Sequence, residues 1–419
     1  MKKLFILPFI LFSLLACNEN LDFEAPIETV SFAVTDSFYV PYETALIYAE
    51  QKLNEEGGST RAANINRKVA EHYEYVVNST TRSTGGNEDV RFHVINFENN
   101  QGYALVSADS RTTPVYAYSS TGNLNIDEAI ENCGFDEFMD AATAFYTKET
   151  RDFINPSTPI IPTPTNPIQQ LPIVEYNGQM YYVESLDCTI QNSGGILIKA
   201  TWGQGWPYNY YCGSNNAASD IGYHNAAGCG PIAAAQIMSY FKYPASHDGY
   251  TLNWNAITSA SYFYNIYPQI SDNAKAVARL IHLVGDEANA NYGTTTGTYI
   301  ANMDDMFRAF GYSCTGPVNF NSQIVKTSLD NSSPVYFRGQ DSNDNAHAWV
   351  IDSYKQNVIN NTYYYTYEPY NKYITTTTLV SMYYHCNWGW DGSANGWFLN
   401  VFDGYNIDNR MIYNIRPNK

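Results

Sequence analysis

Apolar positions in the first third of the chain recur at two spacings, and these predict both helices and strands. Over 42–53, and again over 135–145, apolar residues return on one helix face. Runs of apolar and aromatic residues typical of strands lie at 90–97, 103–108 and 114–118. Residues 99–102 are polar and end in glycine, which predicts a hairpin turn between the first two strands. We expect 28–152 to form one domain of helices and strands with no catalytic constellation.

A proline- and threonine-rich stretch at 153–172 fits neither spacing. Such a sequence is extended and exposed, and proteolytic cleavage concentrates in segments of this kind. It is either a plain spacer or the place where a pro-segment is cut from a mature domain, with 153–200 as the window for the cut. Residues 173–419 form a further domain, which again mixes helical stretches with strands.

The best-defined helix of this domain begins near Cys229. Pro231 suits an early helical position because a backbone N–H there would lack an intrahelical partner, and alanines fill 233–235. Gly228 and Gly230 allow a tight turn and close approach of a substrate. A thiol at a helix N-terminus is favoured as the reactive thiolate. A buried structural cysteine fits the same pattern, so the helix alone does not decide.

Composition excludes one class of function. The 419 residues are 44% hydrophobic, as in globular proteins, and the length suits two or three domains. The net charge is −18, whereas nucleic-acid binding needs a basic surface. We therefore expect no nucleic-acid partner.

The first residues predict export. Residues 1–17 join two lysines to a short apolar core that is too short for a comfortable membrane span. The core ends in Leu-Leu-Ala-Cys, which resembles the bacterial lipoprotein box, so cleavage is expected before Cys17 and lipid on its thiol. Residues 18–27 then form a tether. We expect a cell-envelope lipoprotein of the outer membrane or surface, with release after maturation as an option. A simple cleaved secretory signal is the alternative.

The remaining cysteines do not indicate a metal site. The chain has seven cysteines without a Cys-x-x-Cys pair or a Cys/His cluster at zinc spacing. A disulfide between Cys188 and Cys212 is an option that the sequence leaves open.

Four further residues turn Cys229 into a candidate nucleophile. His347 precedes an apolar strand-like run, and an imidazolium there would stabilise the thiolate. Gln204 offers amide N–H groups for an oxyanion. Asn387 is a candidate acceptor for the imidazole N–H, and Trp388 a candidate shield from water. Each residue alone also fits a structural role.

The order Gln, Cys, His, Asn is that of papain-like peptidases, although papain's signature around the cysteine is absent. The chain resembles the streptopain family of cysteine peptidases in these segments: 202–209, 228–229, 235–238, 242–244, 347–354 and 387–390. The first domain is similar to that family's inhibitory pro-segment over 102–109 and 114–119.

The resemblance implies an α+β papain-like catalytic domain at 173–419, preceded by a smaller α+β inhibitory pro-domain at 28–152. It implies a secreted or surface-anchored cysteine endopeptidase, made as a zymogen, that needs no metal or other cofactor. Its partners would be protein or peptide substrates, its own pro-domain and, through lipid only, a membrane. Cys229 would be the nucleophile, His347 its acid/base partner, and Gln204 part of the oxyanion hole. Asn387 would orient His347, and Trp388 would shield the pair.

Three positions depart from the family pattern. Ala346 stands where glycine usually precedes the histidine, Ser353 replaces another glycine, and Gly-Pro-Ile at 230–232 replaces Val-Ala-Thr. The first and third touch the substrate cleft and therefore bear on specificity more than on activity.

Two other interpretations use the same residues. In the first, the chain is a catalytically inactive papain-fold surface lipoprotein that binds or inhibits a partner. In the second, it is a thiol transferase or amidase with another acceptor. The presence together of Gln204, Cys229, His347 and Asn387 argues against the first. The inhibitor-like first domain argues against the second.

Overall fold

A computed structural model describes residues 38–56, 67–77, 90–131, 133–154, 173–176, 179–340, 345–365, 372–403 and 408–418. The helices are α1 (Tyr42–Glu56), α2 (Ile126–Ala129), α3 (Cys133–Ile154), α4 (Cys229–Phe241), α5 (Trp254–Ile257), α6 (Asp272–Glu287), α7 (Ile300–Ala309) and α8 (Ser322–Asp330). The predicted signal 1–17 with Cys17, the tether 18–27, residues 155–172 of the predicted linker and the Cys188 side chain lie outside this description.

Strands alternate with these helices along the chain. They are β1 (Val69–Val77), β2 (Val90–Phe97), β3 (Tyr103–Ser107), β4 (Val115–Ser119), β5 (Ile173–Tyr176), β6 (Gln179–Asn192), β7 (Ser246–His247), β8 (Tyr250–Thr251), β9 (Tyr312–Asn319), β10 (Val335–Gln340), β11 (Ala346–Tyr365), β12 (Lys372–Asn387), β13 (Gly396–Leu399) and β14 (Arg410–Pro417).

Twelve of the described strands form one sheet. Its main path runs β1-β2-β3-β4-β13-β12-β11-β10-β14-β9, and β6 pairs with both β11 and β5. The strands of the first domain join those of the second where β4 pairs with β13, which places Ala117 opposite Phe398 and Tyr118 opposite Trp397. The pro-domain region and the catalytic region therefore share a sheet.

Two hydrophobic cores lie on opposite faces of this sheet near its centre. Along β11, Trp349 and Ile351 belong to the first core, whereas Ala348 and Val350 belong to the second. This division follows from the alternation of side chains along a strand. The first core continues into α1 and α3, and the second is built on α4, α6 and α7. α3 therefore covers one face and α4 the other.

The predicted elements of the first domain are confirmed. The helical pattern at 42–53 is α1, that at 135–145 lies within α3, and the strand-like runs are β2, β3 and β4. Asn99 and Asn100 make the turn with positive φ angles of 57° and 55°. No helix in the described part of the chain is long and apolar enough to cross a bilayer.

Candidate active site

Cys229 is the first residue of α4, and Gly228 before it has a φ of 92°, where a side chain would be strained. Space is also lacking around the turn. A Cβ on Gly228 would lie 2.9 Å from Thr296 Cγ2, and one on Gly230 would lie 2.3 Å from Thr298 Oγ1. Close packing thus requires glycine at both positions, and the turn itself requires it at 228.

The Cys229 thiol is half-buried and faces several groups that favour its ionisation. Burial opposes the charge, but His347 stabilises the thiolate electrostatically and by a hydrogen bond, and the backbone N–H groups of Ala348 and Gly230 add to this. Together they hold the pKa of Cys229 below its ordinary value of 9.0.

Other described thiols behave in the opposite way. Burial raises the pKa of Cys212 and of Cys314 to about 12, and it raises the pKa of Cys386 well above its ordinary value. Among the described cysteine thiols, Cys229 is the one whose surroundings favour the reactive form. The structural role considered for Cys229 from sequence is therefore the weaker interpretation.

His347 is held by the backbone of the 387–390 segment. Its Nε2 lies 2.8 Å from the carbonyl oxygen of Trp388. A carbonyl only accepts hydrogen bonds, so Nε2 carries a proton and Nδ1 is the nitrogen left to face Cys229. Two indoles lie near the ring, with ring centres 5.0 Å away for Trp390 and 6.2 Å away for Trp349.

The expected contact of Asn387 with His347 is not formed by the described residues. The Asn387 amide donates to the Ala200 carbonyl at 2.7 Å, and its oxygen accepts from Asn395 Nδ2 at 3.2 Å. Strand register gives the reason. Asn387 lies opposite Val350, and paired residues share a sheet face. His347 lies two residues before Trp349 and therefore shares the other face with it.

Asn395 connects Asn387 to the histidine indirectly. Its Oδ1 accepts from the Trp388 N–H at 3.0 Å, while its Nδ2 donates to Asn387. It thereby fixes the peptide segment whose carbonyl holds His347. The sequence offered no signal for this role, because Asn395 reads as an ordinary turn residue.

Trp388 also differs from expectation. It is fully buried, and its indole N–H donates to the Ala394 carbonyl at 3.1 Å. The Trp388 ring contacts the rings of Trp349 and Trp390, with ring centres 5.0 and 5.4 Å apart. Trp390, in turn, contacts the His347 ring. The indole in contact with the His347 ring is therefore that of Trp390, and Trp388 contacts the histidine through its carbonyl.

Gln204 lies beside the Cys229 turn. Its backbone carbonyl accepts from the Ala227 N–H at 2.8 Å. Its side chain is half-buried, and among the described residues the side-chain amide has no hydrogen-bond partner. The amide is therefore available to a bound substrate.

The start of α3 lies against the imidazole. A Cβ on Gly134 would be 2.5 Å from His347 Cδ2, so only glycine lets the helix approach this closely. The next residue, Phe135, makes edge contacts with Trp388 and Phe398 at 6.3 and 6.1 Å between ring centres. The pro-domain helix thus covers the histidine side of the site.

Comparisons with known proteins agree with this arrangement. The model of the peptidase C10 family matches residues 202–398, and that of the Spi protease inhibitor matches residues 34–144. The chain is similar to the peptidase C10 family over the first of these ranges. It is a cysteine-type endopeptidase with a papain-like fold and an N-terminal pro-domain, as the resemblance to streptopain implied.

Relatives of this endopeptidase include streptopain of Streptococcus pyogenes serotype M28, which is 26% identical over 336 residues covering 71% of each chain. The thiol protease/hemagglutinin PrtT of Porphyromonas gingivalis is 23% identical over 376 residues, which span 79% of this chain and 37% of that protein. Among solved structures, a prointerpain A fragment of Prevotella intermedia has a similar fold, with a TM-score of 0.50 and 18% identity, covering 82% of this chain and 98% of the fragment.

Proposed function

We propose that Cys229 and His347 are the catalytic pair of this endopeptidase. The observation that carries the proposal is the hydrogen bond between His347 and the Cys229 thiol at the start of α4, an arrangement that also lowers the pKa of the thiol. Gln204 is proposed to supply the oxyanion hole together with the Cys229 backbone N–H, which has no intrahelical partner at that position.

The reaction would follow from these positions. The thiolate attacks the peptide carbonyl carbon, a C–S bond forms, and the negative charge moves to the carbonyl oxygen beside Gln204. Collapse breaks the C–N bond, and the leaving amine takes the proton from Nδ1 of His347. The same nitrogen then accepts a proton from water, which attacks the thioester and releases the acid and the thiolate. The Nε2 bond to the Trp388 carbonyl keeps the ring oriented throughout.

Asn387 and Trp388 are assigned positioning roles. Asn387 acts through Asn395, and Trp388 acts through its carbonyl. These roles replace the direct Asn387 contact that the sequence suggested.

The pro-domain is proposed to keep the chain inactive by covering a site whose pair is already assembled. The contact of Gly134 with the His347 ring supports this, because a substrate strand cannot occupy the same space. Activation then requires cleavage between 153 and 200 and departure of α3 from the histidine.

Export and anchoring are also proposed. The signal at 1–17 would deliver the chain to the cell envelope, with lipid on Cys17. Metabolic labelling with radioactive palmitate should mark the wild type and leave a Cys17→Ser chain unlabelled; equal labelling of both chains would exclude the anchor.

The central test compares the chain from residue 18 onward with its Cys229→Ala variant. Under reducing conditions the wild type should cut itself between 153 and 200 and react at Cys229 with a peptidyl epoxide. The variant should fold and remain whole. Proteolysis by pure Cys229→Ala protein would overturn the proposal, and an unreactive Cys229 after removal of the pro-domain would favour an inactive binding protein.

A further inference from the structure

An acidic side chain stands beside the oxyanion donor and has no part in the mechanism above. Asp391 follows the indole of Trp390, and its carboxylate lies over Gly203, the residue before Gln204. A Cβ on Gly203 would be 2.5 Å from Asp391 Cγ and from both carboxylate oxygens. Glycine at 203 therefore makes room for a carboxylate immediately beside the residue proposed to bind the oxyanion.

No other described residue neutralises this carboxylate. Among the described residues, Asp391 has no hydrogen-bond or ion-pair partner. Asp391 is exposed to solvent, yet enough protein surrounds the carboxylate that burial raises its pKa to about 6. A carboxylate whose pKa is raised by burial and which lies beside the proposed active site is a candidate functional group.

The walls near Asp391 are aromatic. Asp391 interacts electrostatically with Tyr208 and Tyr262. Burial and this charge raise the pKa of both tyrosines, so they remain neutral hydroxyls in the pH range where Asp391 ionises. Tyr208 is buried and accepts from the Phe263 N–H at 2.9 Å, whereas the Tyr262 ring is exposed. A carboxylate with an exposed ring beside it suits a long cationic side chain, because the alkyl stem packs on the ring and the charged end meets the acid.

We propose that Asp391 is a specificity-determining residue that takes a Lys or Arg side chain of the polypeptide substrate beside the scissile bond. This proposal rests on the proposed catalytic role of Cys229 and Gln204, which fixes the position of the scissile bond.

Asn is the appropriate replacement. Asp391 has a φ of 55°, a left-handed conformation that Asn tolerates better than most residues, so Asp391→Asn removes the charge and preserves the loop. Asp305, an exposed carboxylate on α7, provides a matched control, since Asp305→Asn changes the net charge by the same amount outside the cleft.

The test uses the full chain after activation and a set of peptides with Lys or Gln at each position from three residues before to three residues after the scissile bond. At one of these positions, wild type and Asp305→Asn should cleave the Lys peptide with a kcat/KM about fivefold higher than that of the Gln peptide. This ratio is the one expected from a single solvent-accessible ion pair. In Asp391→Asn the ratio should fall to about one.

The pH dependence of the same ratio adds a second readout. Since both peptides use the same Cys229 and His347, the ionisation of the catalytic pair cancels. The ratio should rise with pH through about 6 as Asp391 becomes charged, and it should be flat in Asp391→Asn. A wild-type ratio near one at every position, or a Lys preference that persists in Asp391→Asn, would overturn the inference while leaving the proposed function intact. Failure of the wild type to cleave any peptide would overturn both.

Discussion

Gly134 offers a direct way to loosen the pro-domain without touching the catalytic pair. Replacing it with alanine places a Cβ 2.5 Å from His347 Cδ2 and 3.0 Å from Cγ, although carbon atoms pack at about 3.5–4.0 Å. The ring has little freedom to move, because Nε2 is bound to the Trp388 carbonyl and two indoles pack near it. The helix must therefore retreat from the histidine.

The substitution has two energetic effects, and only one of them changes the balance between the covered and the uncovered state. Alanine in place of glycine favours a helix by about 1 kcal/mol, and this gain belongs to α3 whether or not it covers the site. Overpacking of a tight contact costs about 1–3 kcal/mol, and this loss occurs only in the covered state. We expect the uncovered state to become about 5- to 150-fold more populated.

The assay is the initial rate at which a peptidyl epoxide labels Cys229 in the intact zymogen, before any cleavage. Gly134→Ala should raise this rate by that factor. Lys148→Ala, which breaks an exposed ion pair with Asp152 later in α3, should not change it. An unchanged or lower rate in a folded Gly134→Ala chain would refute the reasoning that α3 inhibits by contact with His347.

Three further predictions concern the packing and charge around the site. Phe135→Ala removes a ring packed on Trp388 and should lower the free energy of unfolding of the zymogen by about 3–5 kcal/mol, measured by urea denaturation; a loss under 1 kcal/mol would contradict the packing described. Asn395→Ala leaves the Trp388 N–H without its acceptor and should lower kcat about tenfold with KM unchanged, and an effect on KM alone would argue against a positioning role. Burial raises the pKa of Glu149 above 4.5, so its contribution to stability is present below that value and is lost as the pH rises through the raised pKa. The free energy of unfolding should therefore fall more steeply above pH 4.5 in the wild type than in Glu149→Gln, and parallel slopes would contradict this.

The sequence predicted the local parts of the site well. Glycine, proline and alanine around Cys229 act over a few residues, so the helix start and its thiol were readable without the fold. The apolar run after His347 likewise predicted its place at the start of a strand. Both inferences depend on short-range rules of turns, helices and strands.

Long-range pairing set the parts that sequence did not predict. The side chain of Asn387 faces away from His347 because β12 pairs with β11 in a register that places it opposite Val350. A shift of one residue would reverse this, and no local pattern reports the register. β1 was also missed, because most of its residues remain partly or fully exposed and its sequence lacks a clear apolar alternation.

The contacts of Gly134 and Asp391 also join distant parts of the chain, so the local sequence did not predict them. Gly134 meets His347 across more than two hundred residues of chain, and Asp391 meets Gly203 across nearly as many. A glycine at the second position of a helix reads as a weak point of that helix, and its reason appears only when the partner ring is in place.

The most direct test of the central claim is the pH dependence of alkylation of Cys229 by iodoacetamide after the pro-domain has been removed, read by mass spectrometry in wild type and His347→Ala. We expect a midpoint below 9 in the wild type, since His347 stabilises the thiolate, and a clearly higher midpoint in the variant, where the thiolate has lost that partner. Equal midpoints in the two proteins would contradict the claim that Cys229 and His347 act as a pair.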